Sequence, residues 1–209
     1  MESRQRYWES VYQDNDHERV GWYQANPTRS MSFIQDCALD SHVPVVDIGG
    51  GSSALVDCLL GAGYTDVTVL DLSATALGTS RARLGLGGDA VTWIEGDVTE
   101  HQFDRVYQLW HDRAVLHFLL DGASQLRYVE QLRRSLAVGG DAIIATFSLD
   151  GPPRCSGLPV VRYSEESLGA MLGESFEPLR FEYETHQTPG GVSQRFLYGH
   201  FGKRPTTVD

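Results

Sequence analysis

The stretch Val43-Pro44-Val45-Val46-Asp47-Ile48-Gly49-Gly50-Gly51-Ser52-Ser53 is a β-branched run stopped by three glycines and followed by two serines. A short, continuous apolar run of this kind reads as a parallel strand buried on both faces. Ser52 or Ser53 then caps a helix over residues 54–62, which Gly63 closes. The pattern repeats downstream. Residues 66–71 and 90–95 read as the second and third strands, with Ser73 capping a helix over 74–84 between them. Residues 105–111 read as the fourth strand. A helix over 126–137 and the turn Gly139-Gly140 lead into a fifth strand, 141–147.

This βαβ rhythm predicts an α/β fold with a doubly wound, mostly parallel sheet. The chain ends differently. A helix over 164–173 precedes two strand-like segments, 176–186 and 193–203, around the turn Thr188-Pro189-Gly190-Gly191. They predict a C-terminal antiparallel hairpin, seven strands in all. Upstream, residues 1–40 belong to no strand–helix unit. Tyr7, Trp8 and Tyr12 suit one helix, Gly21-Trp22-Tyr23 a loop, and Pro27 the start of a second helix through about residue 38. The expected organisation is one domain over 1–209, with a core at 43–203. Residues 148–161 form the longest irregular stretch.

The chain has 209 residues, with 17 Lys and Arg against 28 Asp and Glu, a formal net charge of −11. That balance argues against a general binder of nucleic acid backbones. There is no apolar run long enough to span a membrane, and Met1-Glu2-Ser3-Arg4-Gln5-Arg6-Tyr7-Trp8 lacks the apolar centre of a signal peptide. Cys37, Cys58 and Cys155 are dispersed, which predicts reduced thiols and a cytoplasmic protein. No HxxxH or CxxC pairing marks a metal site, so no metal is expected.

The chemistry concentrates where the strands end. Glycines after a strand let a ligand approach the main chain, and the next helix offers backbone N–H groups. Asp71 ends the second strand, where a carboxylate accepts ribose hydroxyls. Asp97 ends the third. Taken alone, Gly49-x-Gly51-x-x-Ala54 also satisfies the dinucleotide pattern, so an NAD(P)-dependent oxidoreductase is an alternative reading, as is a binding protein without catalysis.

Asp47-Ile48-Gly49-Gly50-Gly51 resembles the acidic-x-G-x-G motif of class I S-adenosylmethionine-dependent methyltransferases. Asp71 matches that family's ribose-binding acid and Asp97 its adenine-contacting acid. Leu136-Ala137-Val138-Gly139-Gly140 is similar to its turn before the fifth strand, with Val138 in place of a proline. The resemblance implies a Rossmann-like methyltransferase fold with S-adenosyl-L-methionine as cofactor, held by Asp47, Gly49, Gly50, Gly51, Asp71, Leu72, Asp97 and Val98. The lead Tyr7-Trp8-x-x-x-Tyr12, Gly21-Trp22-Tyr23 and Pro27 resembles that of small methyltransferases related to the elongation-factor lysine, thiol, thiopurine and tellurite groups. It implies a helical lid over the cofactor, with Trp22 in contact. For Trp8 and Tyr12, packing against the core is the plainer reading.

The family places methyl transfer after the fourth strand, which here gives Trp110-His111-Asp112-Arg113. His111 is a candidate base and cofactor contact, Asp112 its orienter or an attractor of cationic acceptors, and Arg113 a binder of acidic ones. An Asp112–Arg113 ion pair that closes the strand is the competing reading. His117 reads as a core histidine, and Cys155 beside Arg154 as either passive or activated. The expected acceptor is a small molecule, with a protein lysine as the other class.

Overall fold

The structure is a computed structural model that describes residues 2–205. Met1 and residues 206–209, which the expected domain bounds include, lie outside the described residues. The strands are β1 (Val45–Ile48), β2 (Val67–Asp71), β3 (Val91–Glu95), β4 (Tyr107–Arg113), β5 (Leu136–Phe147), β6 (Arg154–Cys155), β7 (Leu158–Pro159), β8 (Phe176–Gln187) and β9 (Ser193–Lys203). The α-helices are α1 (Glu2–Asp14), α2 (Thr28–Asp36), α3 (Leu55–Gly61), α4 (Ala74–Leu84), α5 (Gly122–Ser135) and α6 (Glu165–Leu172). Seven strands form one sheet in the order β3-β2-β1-β4-β5-β9-β8, while β6 and β7 pair separately. β1 to β5 are parallel, and β9 runs antiparallel to both β5 and β8.

All residues of β1 and β2 are buried, as helices on both faces require. Val46, Ile48, Leu70, Trp110 and Ile144 pack on one face with Tyr128 and Leu132 of α5 and Leu168 of α6. Val45, Val67, Val69 and Ile143 pack on the other with Phe33 and Ile34 of α2 and Leu55 and Leu59 of α3. From β1 the chain winds outward through β2 and β3, then returns to place β4 on β1's other side. The carboxyl ends of β1 and β4 therefore flank the crevice where such sheets bind ligands.

Four local expectations shift. The fifth strand starts at Leu136 instead of 141, so Gly139 and Gly140 lie within it, where its register against the fourth strand shifts. Neither Ser52 nor Ser53 stands at the cap position of α3. Ser53 N–H bonds Gly50 O, so the glycine turn delays the helix, Ala54 takes the cap, and Ser53 Oγ accepts from Leu55 N–H at 3.1 Å. α5 starts earlier than expected because Asp121 accepts the Ser124 N–H at 2.8 Å. The fourth strand runs on through Arg113, because β1 pairs with it to Asp112 and β5 to Arg113. His111, Asp112 and Arg113 thus lie within a strand, where successive side chains point to opposite faces. No described helix is long and apolar enough to cross a membrane.

Candidate active site

The glycine turn leaves β1 with Gly49 at φ +66° and Gly51 at φ +42°. A Cβ on Gly49 would lie 2.1 Å from Val115 Cγ2, and one on Gly51 2.8 Å from Asp71 Oδ2 and 3.0 Å from Tyr12 Oη. Both the backbone sign and the space demand glycine there. Beneath the turn, the buried Asp47 and His111 pair through Oδ1 and Nδ1 at 2.7 Å, and His111 Nε2 lies 2.9 Å from Ser30 Oγ. With Nδ1–H donating to Asp47, Nε2 accepts the Ser30 hydroxyl.

Beside the turn runs a cleft of about 770 Å³. Its floor holds Asp71 and Leu72 at the end of β2, and Asp97 and Val98 after β3. Asp71 Oδ1 accepts the Ser73 N–H at 2.8 Å, and burial pushes its carboxyl up to about 7. Asp97 Oδ1 accepts from Thr99 N and Oγ1 at 2.9 and 2.7 Å, and Oδ2 meets Arg4 Nη2 at 2.8 Å. A second recess of about 520 Å³ adjoins it, lined by Asp47, Gly50, Ser30 and His111. Trp22, Tyr12, Gly49 and Arg113 border both.

Helix α1 forms the roof. Trp8 meets Trp22 and Phe118 edge-to-face at 5.7 and 5.0 Å, and Tyr12 meets Trp22 at 5.8 Å. Glu9 accepts from Ser73 Oγ at 2.7 Å and from Thr75 N at 3.3 Å, at the N-terminus of α4, where negative charge is favoured. Trp8 and Tyr12 therefore both pack and line the cleft. Arg4 escaped the sequence reading, because nothing local marks a partner 93 positions away.

The three residues expected at the reacting centre separate. Asp112 is fully buried on the α5 face. It accepts from Val115 N at 2.8 Å, Leu116 N at 3.1 Å and Tyr128 Oη at 2.7 Å, while burial pushes its carboxyl up to about 6. It fixes the turn after β4 and borders neither cavity, which corrects its reading as an acceptor contact. No Asp112–Arg113 pair forms, since alternation sends them to opposite faces. His111 borders the recess, with Asp47 and Ser30 engaging its two ring nitrogens. Arg113 does face the ligand space. Nε donates to Tyr198 Oη and Nη1 to the Trp22 carbonyl, both at 3.1 Å, and the guanidinium lies 4.4 Å from the Phe196 ring centroid. Its Nη2 is buried without a hydrogen-bond partner.

His117 is fully buried, with burial pushing its pKa down to about 3, so it is a neutral core residue. Cys155 borders the cleft, but burial pushes its thiol up to about 11, and Arg154 turns away to the Gly157 carbonyl. The thiol is not activated. Asp112→Ala should lower stability on the order of 3 kcal/mol by stranding three buried donors, and leave cofactor affinity nearly unchanged. Urea unfolding and calorimetry on one preparation check both.

The site suits S-adenosylmethionine on its own chemistry. Bare backbone at Gly49 and Gly51, carboxylates ending three neighbouring strands and apolar walls at Leu72, Val98 and Phe118 offer contacts for an amino acid end, a ribose and a purine. A dinucleotide fits less well. Its second half needs a sixth parallel strand, and here β9 is reversed. Residues 45–140 match the family model described as a methyltransferase domain. The chain has the fold of S-adenosylmethionine-dependent methyltransferases. The eEF1A lysine and N-terminal methyltransferase of Danio rerio is 25% identical over 146 residues, 68% of this chain and 21% of that protein. This chain spans about a fifth of the curated relative's length. The N-methyltransferase NodS of Bradyrhizobium japonicum WM9, in complex with S-adenosyl-L-homocysteine, superposes with a TM-score of 0.73 at 19% identity, covering 94% of this chain and 98% of NodS. The Burkholderia thailandensis 1,6-didemethyltoxoflavin-N1-methyltransferase, with 1,6-didemethyltoxoflavin and S-adenosylhomocysteine bound, gives 0.73 at 19% identity over 96% of this chain and 87% of that one. At these identities the likeness concerns the fold.

Proposed function

We propose that this chain transfers the methyl group of S-adenosylmethionine to a small-molecule acceptor. The observation that carries the proposal is the roof. Helix α1 lines the cleft and brings Trp8 against Trp22 and Phe118, forming an aromatic end that suits a small acceptor. When bound, the cofactor supplies an already activated methyl, so the protein's task is alignment, exclusion of water and placement of charge.

The residues divide that task. Asp71 accepts ribose hydroxyls. Asp97 and Val98 meet the adenine edge, with Arg4 holding Asp97. Asp47, steadied by His111 and Ser30, faces the cofactor's amino group. The rings of Trp8, Trp22 and Phe118 favour a sulfonium by cation–π attraction. Arg113 lines the cleft and has a buried, unpartnered Nη2, a positive charge that favours an acceptor bearing a carboxylate. A protein lysine is the second acceptor class, supported by the name of the Danio rerio relative. Release of S-adenosylhomocysteine across a panel of small thiols, amines and carboxylate-bearing acceptors, run against lysine peptides, tests the choice. Turnover confined to lysine peptides overturns the small-molecule reading.

Deleting residues 1–14 should leave the sheet folded by circular dichroism, lower cofactor affinity at least tenfold and nearly abolish turnover, because closure excludes water from the site. Trp8→Ala should act in the same direction, more weakly. An unfolded deletion variant together with an unaffected Trp8→Ala would make the segment part of the core instead of a lid.

A further inference from the structure

A second constellation sits away from the cleft. Cys37 follows the last turn of α2, Asp141 is on β5 and His200 is on β9. One ligand atom of each lies within 4.8 Å of the other two. His200 Nε2 is 2.7 Å from Asp141 Oδ1 and 3.6 Å from Cys37 Sγ. The β5–β9 register places His200 opposite Ile143 and Asp141 opposite Gly202, which makes the two ligands diagonal neighbours. None of the three borders either cavity.

We propose that Cys37, Asp141 and His200 form a zinc site whose fourth ligand is water. Thiolate, imidazole and carboxylate are the three donor types that zinc combines in tetrahedral sites. Tetrahedral bonds of ordinary zinc length put S and N about 3.6 Å apart and N and O about 3.3 Å apart. The first separation is already present. The second needs the His200–Asp141 pair to open by roughly 0.6 Å, within the reach of side-chain rotation. The His200 and Asp141 side chains are 12% and 16% exposed, which leaves a route for the ion.

The surroundings favour a cation. Cys37 caps the C-terminal end of α2, the negative end of its dipole. The backbone turns into the left-handed region directly afterwards, at Ala38 with φ +50°. The ion would tie α2 to β5 and β9. The inference stands apart from the methyl-transfer reading, because its test does not use activity.

The test is a cobalt(II) titration of the full-length, chelator-treated protein, followed by displacement with zinc(II). The wild type should bind one ion per chain, with the intense visible spectrum of a tetrahedral site and a thiolate-to-cobalt charge-transfer band that zinc abolishes. Cys37→Ser should lose that band, and Asp141→Asn and His200→Gln should each weaken binding at least tenfold. Zinc should raise the melting temperature of the wild type and not of Cys37→Ser. A wild-type spectrum without the thiolate band overturns the proposal even if a variant fails to fold. So does equal binding by wild type and Cys37→Ser, which would place the ion elsewhere, for example at the exposed His42–Asp40 pair.

Discussion

Asp71→Ala should weaken S-adenosylmethionine binding about 5- to 150-fold, the equivalent of about 1–3 kcal/mol for hydroxyls left without their acceptor. The fold should survive, because Asp71 ends β2 at the cleft instead of filling the core. The same carboxyl predicts a pH dependence. Burial raises it to about 7 in the free protein. Accepting ribose hydroxyls favours the ionised form, so its pKa falls on binding. Below about pH 7 a bound proton must therefore leave, and affinity should drop by up to about tenfold per unit, flattening above that pH. In Asp71→Asn the slope should be gone. Calorimetry between about pH 5.5 and pH 8.5 reads both the slope and the proton released. A flat wild-type profile would mean that Asp71 is not a ribose contact.

Gly49→Val should be more severe. Its Cβ would fall 2.1 Å from Val115 Cγ2, and φ is +66°. A left-handed backbone costs a β-branched residue about 1–2 kcal/mol or more, and the overlap adds to that cost. Cofactor binding should become undetectable, with a lower melting temperature. Gly49→Ala paired with Val115→Ala separates the two causes. Removing the overlap should restore part of the stability, while the remaining deficit reports the backbone. Full recovery of stability with no recovery of cofactor binding would show that the turn matters for its shape toward the ligand.

The first five strands were legible because β-branched runs alternate with capped helices, and Ser73 caps α4 as read, with its Oγ accepting the Ala76 N–H. The hairpin was legible from its turn chemistry. The strand ends were less so. Apolar character ends at Trp110 and predicts a fourth strand that stops at His111, while pairing continues to Arg113, and that two-residue difference decided the site. It put Asp112 on the helix α5 face and left Arg113 facing the ligand space. The acidic and glycine positions around the cleft follow from local sequence. Arg4 with Asp97, Ser30 with His111, and Cys37 with His200 do not, since each pair is brought together only by tertiary packing across 81 to 163 positions.

The claim that this cleft holds S-adenosylmethionine is tested most directly by calorimetric titration of the full chain with S-adenosylmethionine, alongside NAD. One saturable site per chain is expected for S-adenosylmethionine, weakened in Asp71→Ala, with no measurable heat of binding from NAD. Saturable binding of NAD with none of S-adenosylmethionine would contradict it.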